Sequence, residues 1–129
     1  MSVDFLPASK HAKVNGPKHV LAAAVYSFDG FKRMLRETAF RHEMIAGLGI
    51  LGVFALADAQ PIHYLVQIVL MLLLFAVEAL NTAIELIVDR VSPEFSIFAK
   101  RAKDLGSFSV FCLLSTNAIF AGFVLFSGV

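Results

Sequence analysis

The sequence predicts an all-α membrane protein, with three transmembrane helices preceded by an N-terminal amphipathic helix lying on the membrane surface. Three observations predict it. Hydrophobic residues make up 58% of the 129 residues, where a soluble domain carries about 45–50%. Apolar residues gather into three runs divided by turn-forming or charged segments. Lys and Arg flank those runs asymmetrically, being absent from the link between the first two.

Residues 1–17 are polar, broken by Pro7, Gly16 and Pro17, and lack the apolar stretch of a signal peptide. They read as a mobile tail before a single membrane domain over 18–129. Residues 18–36 are expected to form the surface helix. Val20, Leu21, Ala24, Phe28, Phe31 and Leu35 recur at helical spacing beside Lys18, His19, Lys32, Arg33 and Arg36. A basic helix of modest hydrophobicity settles in the headgroup plane rather than crossing. The first span is expected over 38–57. Its strongly apolar part, Ile45 to Ala57, is shorter than the ~20 residues a span needs. Thr38, Ala39 and Phe40 complete it only if Arg41, His42 and Glu43 meet the interface or face protein. Asp58-Ala-Gln-Pro61 ends it with turn residues. The second span is expected over 62–88 and the third, which contains no charge, over 105–126. Between them lies a polar link containing Arg90, Pro93, Lys100, Arg101 and Lys103.

Cytoplasmic loops carry the excess of Lys and Arg. The N-terminal region and the second link are rich in both, while the first link holds only Asp58 and His63. The N-terminus and second link are therefore expected on the cytoplasmic side, and the C-terminus on the far side. The formal net charge of +1 gives no electrostatic footprint for nucleic acid. Cys112 is the single cysteine, so an intramolecular disulfide is excluded. Gly47-Leu-Gly49-Ile-Leu-Gly52 matches the dinucleotide-binding pattern G-x-G-x-x-G, but it lies in an apolar helical run without a preceding strand. Small residues there are expected to let helices approach closely, as are Ala102-x-x-x-Gly106 and Ala118-x-x-x-Gly122.

The candidate functional site is in the second span, which contains Glu78-Ala-Leu-Asn81-Thr-Ala-Ile-Glu85-Leu-Ile-Val-Asp89. Steps of three and four keep Glu78, Asn81, Glu85 and Asp89 on one helix face. A charge at mid-bilayer costs roughly 2.5–3.5 kcal/mol on insertion scales, so such groups turn toward protein or water and mark function. Asp89 is also compatible with simple exposure at the interface. Glu78 is not, lying about 10 Å deeper than Glu85 at 1.5 Å per residue. Two chemistries suit this row: binding a hard cation such as Mg²⁺, and proton abstraction by a carboxylate in low dielectric. Both serve phosphoryl transfer. Lys100, Arg101 and Lys103 offer phosphate partners on the same side, although positive-inside topology also accounts for such charge.

The Glu78-to-Asp89 pattern, with Ala102-Lys103-Asp104-Leu-Gly106-Ser107 after it and Glu37-x-Ala-Phe40-Arg41-x-Glu43 before it, resembles the prokaryotic diacylglycerol kinase family. The resemblance implies a homotrimeric bundle of three-span subunits in the bacterial inner membrane, phosphorylating a lipid hydroxyl from MgATP. It implies Glu78 as general base, Glu37 and Glu85 as Mg²⁺ holders on the ATP phosphates, Lys103 as a phosphate contact and Asp104 orienting the nucleotide. Tyr26 and Glu94 match positions near ATP. Asn81 and Ser107 match positions near the lipid, diacylglycerol. The chain departs from the family at His19, where a basic residue is usual, and at Phe95-Ser96, which replaces an aromatic-His pair. A kinase of the same fold acting on undecaprenol is the neighbouring reading. A small proton-coupled transporter subunit is the reading from another class; it requires a carboxylate near mid-membrane and no use for Lys103-Asp104.

Overall fold

The computed structural model describes residues 16–128. Every regular element among them is helical: α1 (Pro17–Met34), α2 (Thr38–Leu56), α3 (Pro61–Val91) and α4 (Ile97–Phe126). The chain divides into two compact units, Met1–Arg33 and Met34–Val129. The tail expected over 1–17 lies outside the described residues except for Gly16 and Pro17.

In the first unit, Pro17 opens α1, where its fixed φ suits the first helical turn and its missing N–H costs nothing. Gly16 precedes it at φ 81°, a backbone angle natural to glycine. Along α1, Lys32 pairs with Asp29 at 3.6 Å and lies over the Phe28 ring, 4.4 Å from its centroid.

The second unit consists of α2, α3 and α4, each long and apolar enough to cross a membrane. Phe40, Glu43, Gly47 and Phe54 form the buried face of α2 at helical spacing. Glu43 thus faces protein, and Arg41 is exposed, donating to Thr38 Oγ1 at 3.3 Å. This is the arrangement that the short apolar run needs in order to span. The turn after α2 passes through Asp58 at φ 51°, which its short polar side chain tolerates. Pro61 then begins α3.

Most of the packing joins α3 to α4. At one end Phe54, Ala121 and Val124 form an apolar core against which Ile50, Tyr64 and Phe120 pack. Phe54 meets Tyr64 edge-on at 5.8 Å. Nearer the middle, Gln67, fully buried, donates through Nε2 to Asn117 Oδ1 at 2.7 Å. Asn117 Nδ2 in turn donates to the Leu70 and Leu113 carbonyls at 3.2 and 2.9 Å. Of the small-residue motifs, Gly47 and Gly106 are the ones in close contact. A Cβ at Gly47 would run into the Met71 side chain and one at Gly106 into Asn81, whereas Gly49, Gly52 and Gly122 face open space.

The helices outrun the expected spans. Helix α3 continues to Val91, and α4 begins at Ile97 rather than near Leu105. The connection is only Ser92–Ser96, containing Pro93. Ser96 caps α4 by accepting from Ala99 N at 3.0 Å. Polar residues after it, read in sequence as a link, are the first turns of α4, with Lys100 and Asp104 paired one turn apart at 2.5 Å. Charge marks where this helix leaves the apolar layer, and its start lies further back.

The amide lock between α3 and α4 can be tested. Gln67→Leu leaves Asn117 Oδ1 without its donor and should lower stability in detergent micelles by about 0.5–2 kcal/mol. Gln67→Leu/Asn117→Leu should recover most of that loss. Equal unfolding midpoints for wild type and the single variant would show that the bond carries no net stability.

Candidate active site

Two clefts open side by side along the α3–α4 pair. The first, about 350 Å³, is lined by Glu37, Glu43, Glu78, Asn81, Thr82, Glu85, Ser107 and neighbouring apolar residues. Four carboxylates share it. Glu78 is only 6% exposed and lines this cleft together with Glu37, Glu43 and Glu85. Glu85 accepts a long hydrogen bond from Asn81 Nδ2 at 3.4 Å. Asn81 is held against α4 because Gly106 has no side chain, and its Oδ1 is buried without a hydrogen-bond partner in the protein.

The second cleft, about 320 Å³, occupies the elbow between α3 and α4. It is lined by Asp89, Ser92–Ser96, Ala99, Lys100, Lys103 and Asp104. Lys103 Nζ crosses from α4 to Asp89 Oδ1 on α3 at 2.5 Å. Ser92 Oγ and Ser96 Oγ are 2.9 Å apart and stiffen the elbow.

The structure therefore brings Glu37, Glu78, Asn81, Glu85 and Ser107 to one cleft, and Glu94, Lys103 and Asp104 to the other. Tyr26 is an exposed residue of α1. Glu43 was not among the expected site residues, yet it is buried in the acidic cleft with Oε2 unpartnered. Its sequence signal is the spacing Phe40, Glu43, Gly47, Phe54, which puts an acid on the apolar face of α2. Asp89, which the sequence left between site and interface, is engaged with Lys103.

Among the described residues, no three His, Cys, Asp or Glu side chains converge as a ready-made metal cage. Glu37 and Glu85 nevertheless share one cleft. Two hard carboxylates are what Mg²⁺ takes from a protein when phosphate oxygens and water fill its remaining positions.

Fold and clefts together define a small three-span helical membrane protein with an acidic, partly buried site at one end of the bundle. Comparison with known proteins makes the class specific. A family model for prokaryotic diacylglycerol kinase matches residues 25–126. A Sinorhizobium protein named diacylglycerol kinase is 49% identical over 112 residues, covering 87% of this chain and 82% of its own length. Proteins of the same name from Haemophilus influenzae and Pseudomonas aeruginosa are 36% and 40% identical, covering 88% and 81% of this chain and 98% and 85% of their own lengths. The chain belongs to the prokaryotic diacylglycerol kinase family.

The approach of Gly106 to Asn81 yields a prediction. Gly106→Ala places a methyl group against the Asn81 amide and should destabilise the protein by about 1–3 kcal/mol. Adding Asn81→Ala to that variant should relieve part of the loss. Unfolding titrations in mixed micelles would measure both, and an unshifted midpoint for Gly106→Ala would mean the helices part at little cost.

Proposed function

We propose that this chain is an ATP-dependent diacylglycerol kinase, which phosphorylates the primary hydroxyl of diacylglycerol to phosphatidic acid at the cytoplasmic face of the bacterial inner membrane. The observation carrying the reading is Glu78, buried in a cleft shared with Glu37 and Glu85 and beside a second cleft bearing Lys103 and Asp104. The names of the relatives support the choice of lipid.

In this mechanism Glu78 is the general base. The lipid hydroxyl oxygen attacks the γ-phosphorus, forming the new P–O bond as the bond to the β,γ-bridging oxygen breaks. ADP leaves and the hydroxyl proton passes to Glu78. Burial suits this role, because a carboxylate without water around it is a stronger base. Asn81 and Ser107 orient the lipid headgroup. Glu94, Lys103 and Asp104 contact ATP in the elbow, and the family resemblance assigns Tyr26 to ATP as well. Glu37 and Glu85 hold Mg²⁺, which when bound spreads the charge on the phosphates. The remaining elements follow the same reading. Helix α1 lies in the headgroup plane on its apolar face, the N-terminus is cytoplasmic, the C-terminus is periplasmic, and the bundle assembles as a homotrimer. The large apolar residues left exposed on α2, α3 and α4, among them Ile45, Leu72 and Phe111, are available to lipid and to neighbouring subunits.

The purified protein in mixed micelles should transfer the γ-phosphate of MgATP to diacylglycerol in preference to undecaprenol. The reverse preference would move the chain to the neighbouring substrate class. Glu78→Gln should lower kcat by at least about a hundredfold, with assembly and nucleotide binding retained. A fully active Glu78→Gln would remove the general-base role. Glu37→Gln and Glu85→Gln should each raise the Mg²⁺ concentration needed for half-maximal rate. An unchanged Mg²⁺ dependence in both would sink the metal assignment.

A further inference from the structure

We infer that Asp89 is a positioning residue that holds Lys103 away from Glu85, keeping the Glu85 carboxylate available for the metal; the inference rests on the metal reading proposed above. Glu85 and Asp89 are one turn apart on the same face of α3. Lys103 reaches across from α4 to Asp89. Its ammonium is attracted by both carboxylates, and its close contact is with Asp89, at 2.5 Å. The competing acceptor is weakly engaged, Glu85 Oε1 accepting a long hydrogen bond from Asn81 Nδ2 at 3.4 Å.

The alternative partner decides the sign. Without the Asp89 charge, the carboxylate that still attracts Lys103 is Glu85. An ammonium on that carboxylate offers three donors and a full positive charge where the cation would sit. Lysine reaches such an acceptor readily, because its four-carbon stem is flexible and its charge compact. Lys100 does not take over the role of Asp89, being a cation itself and already paired with Asp104 on its own helix. The Asp89–Lys103 pair is half-exposed, with side chains 63% and 39% accessible. A pair of that kind is worth little as a fastener, so its effect on stability should be small and its effect on Glu85 larger.

The test is metal binding, read directly. Mn²⁺ replaces Mg²⁺, and its affinity for the full-length protein in micelles with a non-hydrolysable ATP analogue is measured by electron paramagnetic resonance. Asp89→Asn should bind Mn²⁺ about three- to fivefold more weakly, the scale of one exposed ion pair. Asp89→Glu should restore most of the affinity. The distinguishing measurement is in the Lys103→Met background, where adding Asp89→Asn should have no further effect, because there is no ammonium left to divert. Equal Mn²⁺ affinities for wild type and Asp89→Asn would overturn the inference and leave the metal reading intact. An equal loss in the presence and absence of Lys103 would overturn it too, since Asp89 would then act on the metal by its own charge. Absence of Mn²⁺ binding by wild type would overturn the metal reading itself, and this inference with it.

Discussion

A carboxylate placed in hydrocarbon costs several kcal/mol unless protein or water surrounds it, and this chain carries acids well inside its apolar helices. Glu78 lies in the interior of α3, about two turns before Glu85, and Glu43 lies within α2. Neither can face lipid. Helix α3 must therefore turn its Glu78–Asn81–Glu85 face inward, and α2 must turn Glu43 the same way. The bundle that results has polar groups converging at one end, with an aromatic and aliphatic core of Phe54, Ala121 and Val124 at the other. The close approach at Gly106 serves the same constraint, giving Asn81 room beside α4.

Much of this was legible in the sequence, because helices in a membrane obey two strong rules: apolar length and the inward placement of charge. The three spanning helices and the grouping of Glu37, Glu78, Asn81, Glu85 and Ser107 follow from those rules and from the family resemblance. What was not legible has physical causes. The start of α4 was hidden because hydropathy marks the edge of the apolar layer, whereas a helix ends where its cap is, here at Ser96. Glu43 was expected to meet the interface or face protein, but its place in the acidic cleft depends on how α2 is turned against α3, which spacing within α2 does not encode. The partner of Lys103 was hidden because a contact between helices depends on how far two side chains reach, which spacing within one helix does not encode.

The two clefts share helix α3. Glu85 belongs to the acidic cleft and Asp89 to the elbow, one turn further along α3. Lys103 is attracted by both. On the proposed mechanism, coupling between the elbow and the deeper acidic cleft needs no moving domain. It resides in which of two neighbouring carboxylates an ammonium prefers.

Helices α3 and α4 contain 31 and 30 residues, about 45 Å each at 1.5 Å per residue. The hydrocarbon layer is only about 30 Å thick. Rods of that length must tilt within the bilayer or project beyond its hydrocarbon. Where the bilayer surface cuts those rods determines how deep Glu78 sits relative to lipid headgroups. Membrane thickness is thereby a variable that the depth of the acidic cleft should follow, through the tilt and projection of these two helices.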